Sequence, residues 1–278
     1  MQRVATIADL RRARAALPSP VGFVPTMGAL HAGHESLVAR ARRECASVVA
    51  SIFVNPLQFA PHEDYDRYPR SPEADTALLS RAGADLVFAP ARDEMYPPGA
   101  QFVVTPGSLA AHLEGERRPG FFTGVATVVL KLFHMVSPDA AYFGQKDAQQ
   151  LAVVTRMVAD LDLPVRIVAC PTVREADGLA LSSRNAYLSE SERRDATRLY
   201  AALRQIAGAL AAGDRDVTKL VAQAEAGLPP LKRDYLAVVD PAAFEPLLIA
   251  PARATLLVVG AAFDGTTRLI DNVEVQTP

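Results

Sequence analysis

Two histidines three positions apart form the first pattern in the sequence that could do chemistry. The segment PTMGALHAGH contains His31 and His34, and the apolar residues around its start predict a buried strand over Val21–Thr26. The residues after it predict a helix that begins near Gly33. In a parallel α/β sheet a strand-to-helix turn is a common ligand site, and the start of a helix favours a phosphate. The pair could therefore donate hydrogen bonds to phosphate oxygens, or it could only cap the helix and pack.

Two amides follow the next predicted strand, Ser47–Asn55. Asn55 and Gln58 are expected at the same edge of the sheet as the histidines. Because a glutamine amide both donates and accepts, Gln58 suits a substrate that carries hydroxyl groups. The alternative is a turn that the Asn-Pro pair stabilises. The polar and aromatic residues 60–70 predict a loop that closes over the site, with Tyr68 pointing inward.

A third strand end carries charge. The segment YFGQKDAQQ places Lys146, Asp147 and Gln150 between a predicted strand and a predicted helix. Lysine presents a compact positive charge to phosphate. Asp147 could hold Mg²⁺ or its waters, since Mg²⁺ prefers carboxylate and phosphate oxygens, or it could be a plain N-cap. Gln150, one turn on, is expected to face the same cleft.

Two further loops contain arginine. The segment LSSR, which ends at Arg184, combines a guanidinium with two hydroxyl groups, a set that suits a triphosphate. The alternative is an ordinary loop beside a helix. Glu114, Arg117 and Arg118 lie in a segment rich in glycine and proline, LEGERRPGFFTGV, which on its chemistry alone is more typical of a solvated loop.

Strands and helices alternate over the first part of the chain and would bring these turns together. Almost wholly apolar strands predict a parallel sheet covered on both faces, as in a Rossmann-like α/β domain over residues 1–173. A short amphipathic helix is predicted near the N-terminus, and another helix begins at Ser71-Pro72 and ends at Gly83. A smaller α+β lid domain is predicted over residues 174–278, with helices Glu190–Ala212 and Asp216–Ala226 and three strands.

Composition excludes several classes of protein. The 278 residues have a net charge of −2, which gives no overall basic field for nucleic acid. The two cysteines, Cys45 and Cys170, are too isolated for a zinc site and predict core residues. The N-terminal segment lacks the apolar core of a signal peptide, and no apolar stretch reaches the length of a membrane span. We therefore expect a cytoplasmic protein with no membrane partner.

The ordered set of segments resembles one known family. HAGH resembles the HxGH signature of the nucleotidyltransferase superfamily, which includes class I aminoacyl-tRNA synthetases. VPTMGALHAGH, LEGERRPGFFTGV, YFGQKDAQQ and LSSRN together resemble the pantothenate synthetase (pantoate–β-alanine ligase) family. The sequence departs from that family at Phe121, where histidine is usual. Smaller departures are Ala60 for glycine, Gln145 for glutamate and Leu181 for methionine.

The resemblance implies a substrate and a role for each matched residue. The implied catalytic residues are His31, His34, Lys146 and Arg184, and the implied ligands of pantoate and β-alanine are Gln58 and Gln150. The implied ATP-binding residues are Met27, Gly28, Ala29, Leu30, His31, Ala32, Gly33, His34, Gly144, Gln145, Lys146, Asp147, Val173, Leu181, Ser182, Ser183 and Arg184. Mg²⁺ at Asp147 and a homodimer are implied as well.

The implied reaction joins pantoate to β-alanine through a pantoyl adenylate and releases pyrophosphate and AMP. A first alternative is an adenylyltransferase of the same superfamily that acts on a phosphate-bearing substrate, which would need additional basic residues. A second is a nucleotide-binding module without catalysis, which would be expected to have lost some phosphate-site residues. The pair Gln58 and Gln150 favours a neutral hydroxy-acid part over a phosphate.

Overall fold

A six-stranded, wholly parallel sheet forms the centre of the N-terminal part in the computed structural model, which describes residues 1–61 and 63–278. The spatial order is β1-β4-β3-β2-β5-β6. The strands are β1 (Gln2–Val4), β2 (Val21–Thr26), β3 (Ser47–Ile52), β4 (Leu86–Phe88), β5 (Ala140–Gly144) and β6 (Arg166–Cys170). From β2 the chain proceeds to β3 on one side and later to β5 on the other. The carboxyl ends of β2 and β5 therefore flank a topological switch point, where open α/β sheets bind ligands.

Helices cover both faces of this sheet because its strands are apolar on both sides. One apolar cluster includes Leu10, Phe133 and Val153, and a second, on the opposite face, includes Val38 and Leu79. The helices of this part are α1 (Ile7–Ala15), α2 (Ala32–Glu44), α3 (Pro72–Ala82), α4 (Arg92–Met95), α5 (Glu114–Arg117), α6 (Phe121–Val136) and α7 (Ala148–Asp160). Short 3-10 helices span Pro56–Gln58, Ser108–Ala110, Gln145–Asp147 and Ser183–Tyr187.

A three-stranded antiparallel sheet, in the order β7-β8-β9, forms the C-terminal part with three helices. Its elements are α8 (Glu190–Asp195), α9 (Thr197–Ala211), α10 (Val217–Glu225), β7 (Lys232–Val239), β8 (Thr255–Asp264) and β9 (Thr267–Gln276). A separate apolar cluster that includes Leu203, Ile206 and Val258 fills the space between sheet and helices. None of the described helices is long and apolar enough to cross a membrane.

The fold confirms most elements predicted from the sequence and corrects four. The edge strand β1, which pairs with β4, was not predicted. The predicted strand Ser47–Asn55 stops at Ile52, and the predicted helix Glu190–Ala212 is two helices that meet at Ala196. Ser71 occupies the N-cap position of α3, yet its side chain makes no capping hydrogen bond. Cys45 and Cys170 are buried and unpaired, as expected of core residues.

Candidate active site

A cleft of about 930 Å³ opens at the carboxyl ends of β2 and β5 and extends to the C-terminal part. It collects most of the site residues predicted from the sequence. Those that line it are Met27, His31, Gly33, His34, Gln58, Gly144, Lys146, Asp147, Gln150, Val173, Leu181, Ser182, Ser183 and Arg184. The sheet order explains this convergence, because it places the turns after β2 and β5 side by side.

The two histidines have a tautomer that their backbone partners determine. Nδ1 of His31 accepts the backbone N–H of Gly33 at 3.1 Å, and Nδ1 of His34 accepts the backbone N–H of His31 at 3.3 Å. A backbone N–H can only donate, so Nδ1 of each ring is unprotonated and the proton lies on Nε2. These bonds form a reciprocal capping box at the start of α2. Helix capping and hydrogen bonding to a phosphate are thus compatible roles. Each ring caps the helix through Nδ1 and retains an N–H donor at Nε2.

Both rings are held in the neutral state. Burial, helped by the positive charge of Lys146, lowers the pKa of His31 from 6.5 to about 4. Burial, followed by the influence of His31 and Lys146, lowers the pKa of His34 from 6.5 to about 3. The ring centroids are 4.2 Å apart, so two charged imidazoles here would repel each other. At neutral pH the pair therefore consists of two uncharged N–H donors.

Asp75, a residue that the sequence analysis did not single out, stabilises the turn that precedes the histidines by accepting hydrogen bonds from its backbone. The buried Asp75 carboxylate accepts the backbone N–H groups of Ala29, at 3.0 Å, and Leu30, at 2.8 Å. Gly28 (φ +84°) and Ala29 (φ +50°) have left-handed backbone conformations that form this turn. In the sequence Asp75 is simply an acidic residue in the first turn of α3, so only the packing of α3 against α2 reveals its partner.

Five of the predicted ATP-binding residues do not line the cleft. They are Gly28, Ala29, Leu30, Ala32 and Gln145. The N–H of Gly28 donates to Thr26 Oγ1 at 3.3 Å, and those of Ala29 and Leu30 donate to Asp75. Most of the N–H groups of this turn are thus already used within the protein. The donors that face the cleft from this side are the imidazoles.

Lys146 and Asp147 enter the cleft from the other side of the switch point. They lie in the 3-10 helix after β5, and their charged groups, Nζ and Oδ1, are 3.9 Å apart. Asp147 occupies the N-cap position of α7 but makes no side-chain capping bond, which removes the plain N-cap alternative. Asn272 on β9 donates to the carbonyl oxygens of Gln145 and Lys146 at 2.8 and 2.9 Å. This contact, which the sequence analysis missed, anchors the lysine turn to the C-terminal sheet.

Arg184 is engaged by the loop that was predicted to close over the site. Its Nε and Nη2 donate to the two carboxylate oxygens of Asp64, both at 2.9 Å. Ser183 donates from Oγ to the carbonyl oxygen of Ala29 at 3.0 Å, which joins the LSSR loop to the histidine turn. Tyr68 is buried and lines the cleft, in agreement with its predicted inward orientation, whereas His62 lies outside the described residues. Arg184 thus lines the cleft, but its guanidinium is already paired with the Asp64 carboxylate.

Arg118 gives Phe121 a specific role. The guanidinium of Arg118 donates to both carboxylate oxygens of Glu63 at 2.7 Å and to the carbonyl oxygen of Gln58 at 3.0 Å. It lies 3.8 Å from the centroid of the Phe121 ring. An aromatic face attracts a guanidinium, so phenylalanine can support Arg118 without a hydrogen bond. The segment predicted as a solvated loop is instead part of the cleft wall.

Glu114 joins the two parts of the chain. Its buried carboxylate accepts from Arg268 at 2.6 and 2.9 Å and from the Tyr235 hydroxyl at 2.8 Å. Burial raises the pKa of Glu114, but the hydrogen bonds and charge of Arg268, with the Tyr235 bond, outweigh it, and the net shift is downward. The ionised carboxylate therefore connects α5 to β7 and β9.

Comparison with known proteins identifies relatives over the full length. The pantoate-beta-alanine ligase family matches residues 2–274. The chain is 54% identical to a pantothenate synthetase from Chloroflexus aurantiacus, over 98% of this chain and 97% of the relative. It is 52% identical to one from Acidobacterium capsulatum, over 98% and 96% respectively.

Solved structures agree. A pantothenate synthetase from Thermus thermophilus superposes with a TM-score of 0.93 at 53% identity, over 99% of this chain and 100% of the other. A pantoate-beta-alanine ligase from Francisella tularensis, complexed with beta-gamma ATP and beta-alanine, superposes with a TM-score of 0.83 at 34% identity, over 98% and 97%. The family resemblance, the fold class and the ligase class predicted from the sequence are confirmed. The chain belongs to the pantoate-beta-alanine ligase family.

Proposed function

We propose that the protein joins pantoate to β-alanine at the expense of ATP, through a pantoyl adenylate, and releases AMP and pyrophosphate. One observation carries the assignment of the site. Neutral N–H donors of His31 and His34 after β2, and the ammonium of Lys146 after β5, face one cleft at the switch point of the sheet. This set matches the charge of a nucleotide triphosphate.

The first step needs positioning and charge neutralisation more than proton transfer. The pantoate carboxylate attacks the α-phosphorus of ATP, the bond to pyrophosphate breaks, and negative charge grows on the leaving oxygens. Lys146 and Arg184 neutralise that charge, and the two imidazoles donate hydrogen bonds from Nε2 to phosphate oxygens. We assign His34 as a hydrogen-bond donor and not as a general acid, because no proton has to move in this step.

The second step uses the same positions. The uncharged amine of β-alanine attacks the acyl carbon of the adenylate, AMP leaves, and the amine loses a proton. Gln58 and Gln150 hold pantoate by its oxygen atoms through both steps. Residues 63–70, which Arg118 attaches to the cleft wall through Glu63, exclude water that would hydrolyse the adenylate.

Mg²⁺ fits the donor set only together with ATP. Among the described residues no group of three His, Cys, Asp or Glu side chains could hold a metal ion by itself. Asp147, whose side chain is 46% exposed in the cleft, offers one carboxylate, and Mg²⁺ commonly takes one carboxylate with phosphate oxygens and waters. Asp147 would hold the ion, which would supply further neutralisation of phosphate charge.

We also propose a division into two domains, a lid role for the second, a homodimer and a cytoplasmic location. A boundary between domains 1–173 and 174–278 is supported by the separate apolar clusters, one of which contains only residues from Leu179 to Val275. A lid role for the second domain is supported by Asn272, which binds the lysine turn. A homodimer and a cytoplasmic location follow from the family resemblance.

Isotope transfer tests the reaction. Pantoate labelled with ¹⁸O in its carboxylate should give AMP that carries one ¹⁸O, because the attacking oxygen stays on phosphorus when the amine displaces AMP. Unlabelled AMP, or ADP and phosphate as products, would refute the adenylate route. An adenylyltransferase would release pyrophosphate only when its phosphate-bearing acceptor is present, would not need pantoate, and would form no pantothenate.

A further inference from the structure

A chain of hydrogen bonds behind the cleft wall ends at Gln58. Asn55 follows β3, is fully buried and does not line the cleft. Its Oδ1 accepts the backbone N–H of Leu57 at 3.3 Å and the hydroxyl of Tyr96 at 2.9 Å. Its Nδ2 donates to the carbonyl oxygen of Gly124 at 3.0 Å and to Oε1 of Gln58 at 2.8 Å. All four hydrogen-bonding positions of the Asn55 amide are therefore used.

The direction of this chain is unambiguous. The Leu57 N–H can only donate and the Gly124 carbonyl can only accept, so the Asn55 amide has one possible orientation. Nδ2 of Asn55 can only donate, so the atom of Gln58 that faces it must be the oxygen. The NH₂ group of Gln58 consequently points away from Asn55. Within the part of the chain that the structure describes, no side chain or carbonyl accepts from this NH₂, and Gln58 lines the cleft.

Tyr96 completes the arrangement from outside the cleft. It follows α4, is partly buried, and its ring lies 6.0 Å from the Phe53 ring, centroid to centroid. Gly124 of α6 packs so closely on the Pro56–Gln58 turn that an added Cβ would lie 2.2 Å from the carbonyl oxygen of Leu57. The backbone of the turn is therefore closely packed, and the shortest hydrogen bond that the Asn55 amide oxygen accepts comes from the Tyr96 hydroxyl.

We infer that Tyr96 is a positioning residue for this reaction: through Asn55 it holds Gln58 with its NH₂ group toward pantoate. Gln58 then presents its NH₂ group as a donor to an oxygen of pantoate, while its Oε1 accepts from Asn55. This inference rests on the proposed function, since it assumes that Gln58 binds pantoate. Loss of the Tyr96 hydroxyl leaves Oδ1 of Asn55 with only the 3.3 Å bond from the Leu57 N–H, so the Asn55 amide keeps its orientation but is held less firmly, and the Gln58 amide with it.

Steady-state kinetics of Tyr96→Phe tests the inference. The substitution keeps the ring and removes the hydroxyl, and it should raise the KM for pantoate roughly twofold to tenfold, the effect of one neutral hydrogen bond. The KM for ATP should not change. The matched control is Tyr200→Phe, since the Tyr200 hydroxyl makes no hydrogen bond to any described residue and does not line the cleft. An unchanged KM for pantoate, or an equal rise in both KM values, would overturn the inference.

A double-mutant cycle separates positioning from a structural effect. In a Gln58→Ala background, Tyr96→Phe should have no further effect on the KM for pantoate, because the group that Tyr96 positions is gone. A further rise of the same size as in the wild type would show that Tyr96 acts by another route. Each variant is assayed at a temperature the same number of degrees below its own melting temperature.

A binding measurement on the wild-type enzyme complements the kinetics of the variants. The side-chain amide signals of Gln58 in a ¹⁵N spectrum, assigned by their loss in Gln58→Ala, should shift when pantoate is added. Signals that stay in place while the wild type forms pantothenate would refute the donor role of Gln58. A wild type that forms no pantothenate would instead refute the proposed function.

Discussion

Replacement of His34 by asparagine should remove a large part of the acid sensitivity of the fold. In the native state burial and nearby positive charge hold the pKa of His34 at about 3, against 6.5 when it is exposed. Between these values the unfolded chain binds a proton that the folded chain does not. Stability therefore rises with pH through this window and is lost as pH falls below 6.5.

The magnitude follows from the two pKa values of His34, 6.5 and about 3. Linkage gives a loss of up to about 2 kcal/mol in the free energy of unfolding between pH 7 and pH 5 from this one ring. Asparagine places Oδ1 close to where His34 has Nδ1, so it can still accept the backbone N–H of His31. The variant thus keeps the capping bond and removes the titrating group.

Urea unfolding at pH 7 and pH 5, without ATP, measures the effect. Between pH 7 and pH 5 the free energy of unfolding of the wild type should fall by up to about 2 kcal/mol more than that of His34→Asn. His134→Asn, which removes an exposed histidine from the last turn of α6, is the control and should behave as the wild type does. Equal losses in the wild type and His34→Asn would refute the conclusion that burial keeps this ring neutral.

Three further substitutions test charges around the cleft. Lys146→Ala should slow adenylate formation at least roughly a hundredfold in single-turnover experiments, the usual loss for one transition-state contact, and a near-normal rate would refute its assignment. Asp64→Asn should lower the KM for ATP roughly threefold to tenfold, since ATP no longer competes with a carboxylate for Arg184; a higher KM would contradict this competition. Glu114→Gln should lower the free energy of unfolding by about 3 kcal/mol, because Arg268 loses a buried ionised partner, whereas Glu116→Gln, at an exposed position, should not.

Local patterns in the sequence were sufficient to predict most helices and strands and to identify the family. The apolar stretch of β2, the helical spacing in α2 and the Ser-Pro start and glycine end of α3 are all short-range signals. Strand β1 was missed because three residues at a sheet edge, only one of them buried, show no clear alternation. The break at Ala196 was missed because it involves neither glycine nor proline.

Sequence patterns alone were enough to locate the chemical groups: histidines after β2, lysine after β5, and amides and arginines in loops. The partners of these groups became visible only in the folded chain. The tertiary structure assigned Asp75 to the histidine turn, Asp64 to Arg184, Asn272 to the lysine turn and Tyr96 to Asn55. The physical reason is that periodicity and turn chemistry act over a few residues, whereas these pairs join residues far apart in the chain. The strand order β1-β4-β3-β2-β5-β6 brings the turns after β2, β3 and β5 to one end of the parallel sheet, and β9 of the second sheet adds Asn272.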